Sequence, residues 1–357
     1  MTATQQRLKL CLIGLGRLGA LRARILAFEQ PRVELVAVCD TKPGADAWAA
    51  ANLPPSVKFF STPDECMKNS GAQAVLISTA TATHAPLICM AFDLGLHVMC
   101  EKPISVDITT TKDVVAKAAS KPHLKFLLPF SRRYDESYRV TKKMVEDGKL
   151  GSIHAVEASC LDPQDKNAFY VTFSEQSGGI FVDAGIHLID AGRYFLDVDK
   201  NIANPAKQVN RVVAFGQQSF ANGTILHARL SRTITNGFEA ATRVCGTRAH
   251  SVINGNSVRD RVEIRDEHGV RTASTPDAFA LYDKTFVNDV AEFAAAVLDG
   301  APLSCAPEDA LEAGKIACAL QHSFRLGEPV LFDDAGEPIL KALASNQNVS
   351  KMDSRVE

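Results

Sequence analysis

The chain lacks an excess of charge of either sign: 39 basic residues stand against 41 acidic ones, for a formal net charge of −2. No run of Lys and Arg is long enough to follow a phosphate backbone, which argues against a nucleic-acid-binding protein. No apolar stretch approaches the roughly 20 residues that span a bilayer, so we expect no membrane segment. The first ten residues, MTATQQRLKL, contain no apolar core of a secretory signal. The sequence therefore predicts a cytoplasmic globular protein.

Closely spaced cysteines are also absent. The nine cysteines are scattered, none has C-x-x-C spacing, and most lie in apolar runs such as LKLCLIG and VELVAVCD. This distribution favours small buried thiols in a reducing compartment over disulfides or metal ligands. We expect no bound metal.

Strand–helix alternation organises the first third of the chain. Five short apolar runs lack polar alternation, which is typical of parallel strands covered on both faces. Segments with apolar residues at helical spacing separate them, so this part predicts a doubly wound α/β sheet. The predicted strands are 8–14, 33–40, 74–79, 97–101 and 125–130. A helix over 134–147, ending at Gly148, closes the unit.

After Gly151 the pattern changes to strand-like segments separated by turn signals such as TNG and DEHG. This indicates an α+β domain with a large, mostly antiparallel sheet. The predicted strands are 152–160, 208–220, 223–234, 237–246, 249–254, 258–266 and 329–332, and the predicted helices are 179–196, 280–299 and 307–325. A length of 357 residues favours two domains. We place them at 1–130 and 131–335, with a C-terminal tail over 336–357.

A G-x-G-x-x-G motif, Gly14-Leu15-Gly16-Arg17-Leu18-Gly19, follows the first predicted strand and opens an amphipathic helix. In that context the first glycine makes the tight turn and the second lets the backbone approach a pyrophosphate. The third lets the helix and strand pack closely. The helix N-terminus adds unpaired N–H groups and a partial positive charge. These six residues therefore predict a dinucleotide site on a Rossmann domain.

Asp40 ends the second predicted strand, 21 residues after Gly19. A carboxylate there can accept hydrogen bonds from both hydroxyls of the adenosine ribose and would repel a 2′-phosphate. NAD(H) is therefore favoured over NADP(H). An ordinary loop aspartate is the alternative, and the nearby Lys42 could offset the charge and permit use of both cofactors.

Two further segments make the chain recognisable. Glu101-Lys102-Pro103 leads out of a predicted strand, and residues 178–190 read GGIFVDAGIHLID. Together with the glycine motif, and in the same order, these resemble the oxidoreductase family of glucose–fructose oxidoreductase and inositol 2-dehydrogenase (the Gfo/Idh/MocA family), over about residues 8 to 332. The resemblance implies NAD-dependent hydride transfer at a hydroxyl-bearing carbon of a cyclitol, sugar or sugar-derived substrate. It also implies homodimers or homotetramers.

The resemblance implies catalytic roles by position. Lys102 matches the family's active-site lysine, His187 its acid/base histidine, and Asp183 the carboxylate that acts with the histidine. The chemistry is suitable, because an imidazole can take the hydroxyl proton and a lysine can stabilise a developing alkoxide. Asp183 and His187 are four residues apart and would share one face of a helix. Considered alone, a lysine before a proline is usually a solvated turn residue, and a histidine on a half-apolar helix is usually a core group. Asp190, one turn further, is expected to serve packing or charge.

Other matches to the family are partial. Residues 79–84, Thr-Ala-Thr-Ala-Thr-His, lack the Pro and Asn of the family's Thr-Pro-Asn-x-x-His segment. Thr79 and Thr81 are predicted cofactor contacts, whereas His84 is either a cofactor contact or structural. Glu101 is placed at the nicotinamide end, with a capping or loop role as the alternative.

The substrate is predicted from a resemblance to the inositol-dehydrogenase branch of the family. There the first arginine of a pair such as Arg132-Arg133 faces the substrate, so Arg132 is predicted to donate forked hydrogen bonds to vicinal hydroxyls or a carboxylate. A surface ion pair is the alternative. Asp162 stands where that branch has a polar substrate contact. The following segment, 164–177, is longer than in the inositol enzymes and would reshape the pocket.

Tyrosines are missing where the inositol branch tends to have them. This chain has Asn236, Phe238 and Phe286 at those positions, although Tyr282 is close by. Fewer phenol hydroxyls mean fewer hydrogen bonds to a fully hydroxylated ring. We therefore expect a substrate that is less polar than inositol, such as a deoxy- or alkyl-substituted sugar, a sugar acid or a specialised ketone, and weak or no turnover of myo-inositol.

Two other functions are compatible with these motifs. One is a biosynthetic reductase of a ketone or imine, which uses the same site in reverse. The other is a non-catalytic dinucleotide-sensing regulator, as in the galactose-pathway repressors of yeasts. A sensor needs only the dinucleotide site, so the presence of Lys102, Asp183 and His187 argues against it.

Overall fold

The structure is a computed structural model that describes residues 6–163, 177–196, 209–213, 217–220, 225–234, 237–255, 258–266 and 269–341. None of the helices in these ranges has the length and apolar character needed to cross a membrane.

A six-stranded parallel sheet forms the first part of the molecule. Its strands are β1 (Leu8–Ile13), β2 (Val33–Cys39), β3 (Lys58–Phe60), β4 (Ala74–Ile77), β5 (His97–Cys100) and β6 (Phe126–Leu127). The order β3-β2-β1-β4-β5-β6 is that of a doubly wound Rossmann sheet, which confirms the predicted fold class. Every residue of β4 is buried. The three-residue β3 was not predicted, because it is too short and too exposed to produce an apolar run.

Helices cover both faces of this sheet. They are α1 (Arg17–Phe28), α2 (Ala45–Asn52), α3 (Pro63–Asn69), α4 (His84–Asp93) and α5 (Ile108–Ala119). The sequence PDECMKN of α3 was not recognised as a helix, since it buries only Cys66 and Met67. A 3₁₀ turn at Ser131–Tyr134 then leads into α6 (Glu136–Glu146). This helix begins two residues later than predicted, because Asp135 is its N-cap and accepts hydrogen bonds from two backbone N–H groups.

A seven-stranded sheet dominates the rest of the described chain. Its strands are β7 (Ile153–Pro163), β8 (Val209–Val213), β9 (Gln217–Phe220), β10 (Ile225–Ile234), β11 (Thr242–Gly246), β12 (His250–Ile253) and β15 (Val330–Leu331), whereas β13 (Val258–Asp266) and β14 (Gly269–Ser274) form a separate hairpin. The order is β12-β11-β7-β10-β9-β8-β15. All pairings are antiparallel except that of β7 with β10, so the mostly antiparallel α+β prediction is confirmed.

The predicted helix over 179–196 is present but irregular. It begins with a π-helical turn at Phe181–Gly185 and continues as α7 (Ile186–Phe195), which packs on β7 and β10. The later helices are α8 (Ala278–Leu281), α9 (Thr285–Asp299) and α10 (Pro307–Leu326). The single helix predicted over 280–299 is therefore two, separated by a short break after Leu281.

A buried arginine connects distant parts of the chain. Arg22 of α1 donates to both carboxylate oxygens of Asp289 in α9, at 2.6 and 2.7 Å, and its Nε donates to Glu101 at 2.9 Å. Its Nη1 also donates to the backbone oxygen of Phe286 at 3.0 Å. Arg22 and Asp289 are each 1% exposed. This cluster fixes α9 against α1 and against the residue that precedes Lys102.

We expect Arg22→Met to destabilise the protein by about 3–5 kcal/mol, because it leaves the buried Asp289 carboxylate without its cation. Equilibrium unfolding in urea measures the change. Arg32→Met is the matched control, since Arg32 forms a solvent-accessible ion pair with Asp299 at the far end of α9. The control should change the unfolding midpoint little. Equal losses in both variants would contradict a special role for Arg22.

Candidate active site

A cleft of about 1060 Å³ extends from the glycine motif to α7. It runs past the carboxyl ends of β1, β4 and β5, where ligands of doubly wound sheets bind. The predicted site residues that line it are Gly14, Gly16, Arg17, Leu18, Asp40, Thr79, Thr81, His84, Glu101, Lys102, Arg132, Asp162, Asp183 and His187. Leu15 and Gly19 are not among the residues that line it.

The glycine motif has the geometry that a dinucleotide requires. Gly14 has a φ of 97°, and a Cβ there would lie 2.4 Å from the backbone oxygen of Ser78. A Cβ on Gly19 would lie 2.0 Å from the backbone oxygen of Gly14, so only glycine permits this close packing. A Cβ on Gly16 would have no atom within 4 Å, and no side chain caps the N-terminus of α1. The open space and the uncapped N–H groups fit a pyrophosphate.

Asp40 holds the glycine loop as well as facing the cleft. Its Oδ2 accepts a hydrogen bond from the backbone N–H of Leu15 at 2.6 Å, and its Oδ1 accepts one from that of Lys42 at 2.8 Å. Each carboxylate oxygen can accept a further hydrogen bond, so the group remains able to bind ribose hydroxyls.

Two of the partially matched residues have structural partners. His84 Nδ1 donates to the backbone oxygen of Pro103 at 2.7 Å, which ties α4 to the turn after Lys102. Burial lowers the pKa of His84, despite its backbone hydrogen bonds. Glu101 is bound by Arg22, as a loop role would require, and it also lines the cleft. Thr79 and Thr81 face the cleft, as a cofactor contact would require.

Lys102 and Asp183 form an ion pair at the far end of the cleft. Lys102 Nζ lies 2.9 Å from Asp183 Oδ1 and also donates to the backbone oxygen of Asp183. The second carboxylate oxygen of Asp183 accepts a hydrogen bond from Arg232 of β10 at 2.5 Å. Burial raises the pKa of Asp183, but the two cations outweigh this effect and hold it below its usual value. Asp183 is therefore ionised.

Arg232 is the member of the site that the sequence did not reveal. It lies in a strand whose neighbouring residues carry no motif, and Asp183 is 49 residues away. Its Nε is also 3.9 Å from Asp162 Oδ2. Burial raises the pKa of Asp162. The charge of Arg232 opposes this effect, but the pKa stays above its usual value. The only indication of Arg232 in the sequence was a cationic residue within a strand that is partly buried.

His187 faces the same end of the cleft. Its ring meets that of Phe130 edge-on, with centroids 6.1 Å apart, and its Nδ1 is buried without a hydrogen-bond partner in the part of the chain that the structure describes. Burial lowers its pKa well below 6.5, and the charges of Lys102 and Arg132 lower it further. The imidazole is therefore neutral near neutral pH and able to accept a proton. Asp183 lies in the π-helical turn and His187 in the α-helix that follows.

The predicted substrate residues Arg132 and Asp162 line the same cleft as the glycine motif. Arg132 is 3% exposed, which rules out the surface ion pair, and its guanidinium stacks over the ring of Tyr282 at 5.2 Å. Phe238 and Phe286 line the cleft as predicted, and so does Tyr282. Asn236 lies outside the described residues, as does nearly all of the predicted 164–177 segment.

Asp190 has the structural role that was expected of it. It is fully buried and accepts a hydrogen bond from Arg133 at 2.7 Å. The second arginine of the pair therefore points into the core, away from the cleft.

Comparison with known proteins agrees with this geometry. Residues 8–127 match the family model "Oxidoreductase family, NAD-binding Rossmann fold", and residues 142–332 match "Oxidoreductase family, C-terminal alpha/beta domain". The chain therefore belongs to the Gfo/Idh/MocA oxidoreductase family and has that family's NAD-binding domain.

Several relatives cover nearly the whole chain. The scyllo-inositol 2-dehydrogenase (NAD(+)) of Bacillus subtilis is 26% identical over 92% of this chain and 97% of its own length. The inositol 2-dehydrogenase of Rhizobium meliloti is 28% identical over 87% and 95%, respectively. The crystal structure of a Lactobacillus casei scyllo-inositol dehydrogenase with NAD(H) and scyllo-inositol has a TM-score of 0.82 and 26% identity, covering 91% of this chain and 99% of that chain.

The lowered pKa of His187 predicts a specific pH dependence. If His187 must be neutral to accept a proton, kcat/KM should stay constant on lowering the pH through neutrality and fall only below pH 6.5. The free energy of unfolding should also decrease at low pH. His187 binds a proton more readily in the unfolded chain than in the folded protein. The difference in the free energy of unfolding between wild type and His187→Gln should therefore be largest above pH 6.5 and decline as the pH falls through the pKa of His187 in the folded protein.

Initial rates and urea unfolding across this pH range measure both effects. His154→Gln, on the exposed side of β7, is the control and should reproduce the wild-type profile. An acid limb at or above pH 6.5 would contradict the neutral state of His187.

Proposed function

We propose that the protein is an NAD-dependent dehydrogenase that transfers hydride between the nicotinamide and a hydroxyl-bearing carbon of a cyclitol, sugar or sugar-derived substrate. The observation that carries this proposal is the Lys102–Asp183 ion pair beside a neutral His187, at the end of a cleft that begins at the dinucleotide motif. In the direction of oxidation the substrate loses a hydride from carbon and a proton from oxygen, and a carbonyl group forms.

Each side chain has a distinct part in this reaction. His187 accepts the proton of the reacting hydroxyl, since its imidazole is neutral and lies on the cleft wall. Lys102 stabilises the negative charge that develops on the same oxygen. Asp183 holds the ammonium group of Lys102 in place, and Arg232 holds Asp183. When bound, NAD(H) supplies the hydride acceptor or donor. The same groups operate in reverse for reduction of a ketone.

The substrate is proposed from the cleft wall and from the relatives. The curated relatives named above are inositol dehydrogenases, which supports a cyclitol or a sugar. Phe238 and Phe286 present apolar rings to the cleft, so fewer groups are available to hydrogen-bond a fully hydroxylated ring. These features support a substrate that is less polar than inositol over part of its surface, and weak turnover of myo-inositol.

We further propose a homodimer or homotetramer in the cytoplasm. Helix α7 packs on the sheet through residues such as Gly192, which is in close contact with Leu226. Glu157 and Arg243 lie on neighbouring strands and are half-exposed, so part of this sheet is accessible to a second subunit. The nine cysteines are all free, which suits a reducing compartment.

Lys102→Ala tests the catalytic proposal. We expect kcat to fall by about 100- to 1000-fold, since the developing oxyanion loses its cation. Initial rates with NAD+ and a panel of polyols, followed by the absorbance of the reduced cofactor, measure this loss. The dissociation constant for NADH should change little. Lys68→Ala, in an exposed ion pair of α3, is the control. Unchanged turnover in Lys102→Ala would refute the assignment.

Asp40→Ser tests the basis of cofactor choice. Removing the carboxylate removes its repulsion of a 2′-phosphate, and serine keeps a short hydrogen-bond acceptor near the Leu15 N–H. We expect the ratio of kcat/KM for NADP+ to that for NAD+ to rise by about 10- to 100-fold. Asp46→Ser, on the exposed side of α2, should leave the ratio unchanged. If Asp40→Ser also leaves this ratio unchanged, another residue determines the choice between NAD+ and NADP+.

A further inference from the structure

The turn that carries Lys102 has few hydrogen bonds to its main chain. Glu101, which follows β5, still donates its backbone N–H to the backbone oxygen of Ile77 at 2.9 Å. After it the chain is irregular until α5 begins at Ile108. Among the residues that the structure describes, one group binds the backbone of residues 102–104, and it is the imidazole of His84. The backbone next to Lys102 therefore depends on a single side chain.

His84 lies between two functional segments. It is the first residue of α4 and is 2% exposed, so its imidazole is shielded from water. Its Nδ1 lies 2.7 Å from the backbone oxygen of Pro103, the residue after Lys102. Its Nε2 lies 3.1 Å from the backbone oxygen of Thr79, which lines the cleft and is a predicted cofactor contact. One side chain thus faces both the Lys102 turn and the cofactor segment.

Both ring nitrogens of His84 face oxygen atoms that can only accept. A neutral imidazole has one N–H, so it can donate to only one of the two. Burial lowers the pKa of His84 more than the two backbone oxygens and Glu101 raise it, and the charge of Lys102 lowers it further. The ring is therefore neutral near neutral pH. The shorter of the two distances assigns its N–H to Nδ1 and the oxygen of Pro103, so the contact with Thr79 contributes little.

The ammonium group of Lys102 is held from a different part of the fold. Its Nζ donates to the carboxylate and to the backbone oxygen of Asp183, in the π-helical turn before α7. The backbone and the ammonium group of Lys102 thus have separate anchors. A shift of Pro103 would move the ammonium group relative to the reacting oxygen, and a displacement of about 1 Å can reduce a rate by about 100-fold.

We propose that His84 is a positioning residue for hydride transfer: its Nδ1–H holds the backbone oxygen of Pro103 and thereby sets where Lys102 meets the reacting hydroxyl. The inference rests on the proposed dehydrogenase function, and it assigns His84 to the Lys102 turn and not to the cofactor. Loss of the Nδ1–H should therefore lower kcat and leave the affinity for NADH nearly unchanged.

Three substitutions of His84 separate its two contacts. His84→Leu has a similar size and no N–H, His84→Asn places an amide N–H where Nδ1 lies, and His84→Gln places one where Nε2 lies. We expect kcat to fall by about 10- to 100-fold in His84→Leu and His84→Gln, and to stay within about threefold of wild type in His84→Asn. The dissociation constant for NADH should change by less than about twofold in all three, since no cofactor contact is lost.

Initial rates with NAD+ and scyllo-inositol, myo-inositol, glucose or glucuronate measure kcat and KM, and fluorescence titration measures the binding of NADH. His97→Leu is the matched control. His97 also binds a backbone group, since its Nδ1 accepts from the N–H of Lys125 at 2.9 Å, but it begins β5 and is not among the residues that line the cleft. The control should keep the wild-type kcat.

Each other outcome would overturn the inference. An unchanged kcat in His84→Leu, or a kcat in His84→Asn as low as in His84→Leu, would show that the Nδ1–H does not position Lys102. Rescue by His84→Gln instead of His84→Asn, or a loss of NADH affinity as large as the loss of kcat, would assign His84 to Thr79 and the cofactor. If His84→Leu proves unfolded, the comparison of His84→Gln with His84→Asn still decides.

Hydrogen exchange separates this inference from the proposed function. Amide exchange of the peptide 101–107, measured by mass spectrometry, requires no turnover and should be faster in His84→Leu than in wild type and be restored in His84→Asn. If wild type oxidises none of the four compounds, the dehydrogenase proposal fails for this panel, whereas the hold of His84 on the Lys102 turn is still tested. Equal exchange in wild type and His84→Leu would overturn that hold.

Discussion

The ionic cluster around Arg22 is the constraint on which the geometry of the site depends. Its guanidinium binds Asp289, which is 267 residues away in the sequence, and Glu101, the residue before Lys102. Because all three groups are shielded from water, the fork of Arg22 can be satisfied in only a narrow range of positions. The helix that presents the cofactor loop, the end of β5 and α9 are thereby held together. Because Lys102 follows Glu101 directly, its position depends on this arrangement.

A second set of charges determines the chemistry. Lys102 and Arg232 keep Asp183 ionised, whereas burial and the charges of Lys102 and Arg132 keep His187 neutral. Two titratable groups four residues apart thus have opposite protonation behaviour, because one contacts cations directly and the other is desolvated near them. A fixed ammonium group and a neutral imidazole in one cleft are what reversible hydride transfer at a hydroxyl carbon requires.

The cofactor end could be predicted from local patterns. The glycine motif, the apolar strands and Asp40 act over short stretches of chain, and the structure places them as the spacing indicates. Elements without such patterns were missed, such as the three-residue β3 and the polar α3. The partner of Glu101 was also missed, since the sequence around Arg22 does not show that this side chain points inward to Asp289.

The sequence by itself determined the sheet type and the dinucleotide motif, and its resemblance to a known family identified Lys102, Asp183 and His187 as candidate residues. Only the tertiary structure decided how these groups are charged and what faces the substrate. Lys102 and Asp183 are 81 residues apart, and Arg232 reaches Asp183 from a strand of the second sheet. The pairing of Arg232 with Asp183 and the position of Arg132 over the Tyr282 ring are properties of three-dimensional neighbours. They arise because burial and opposite charge act through space, where sequence separation has no bearing.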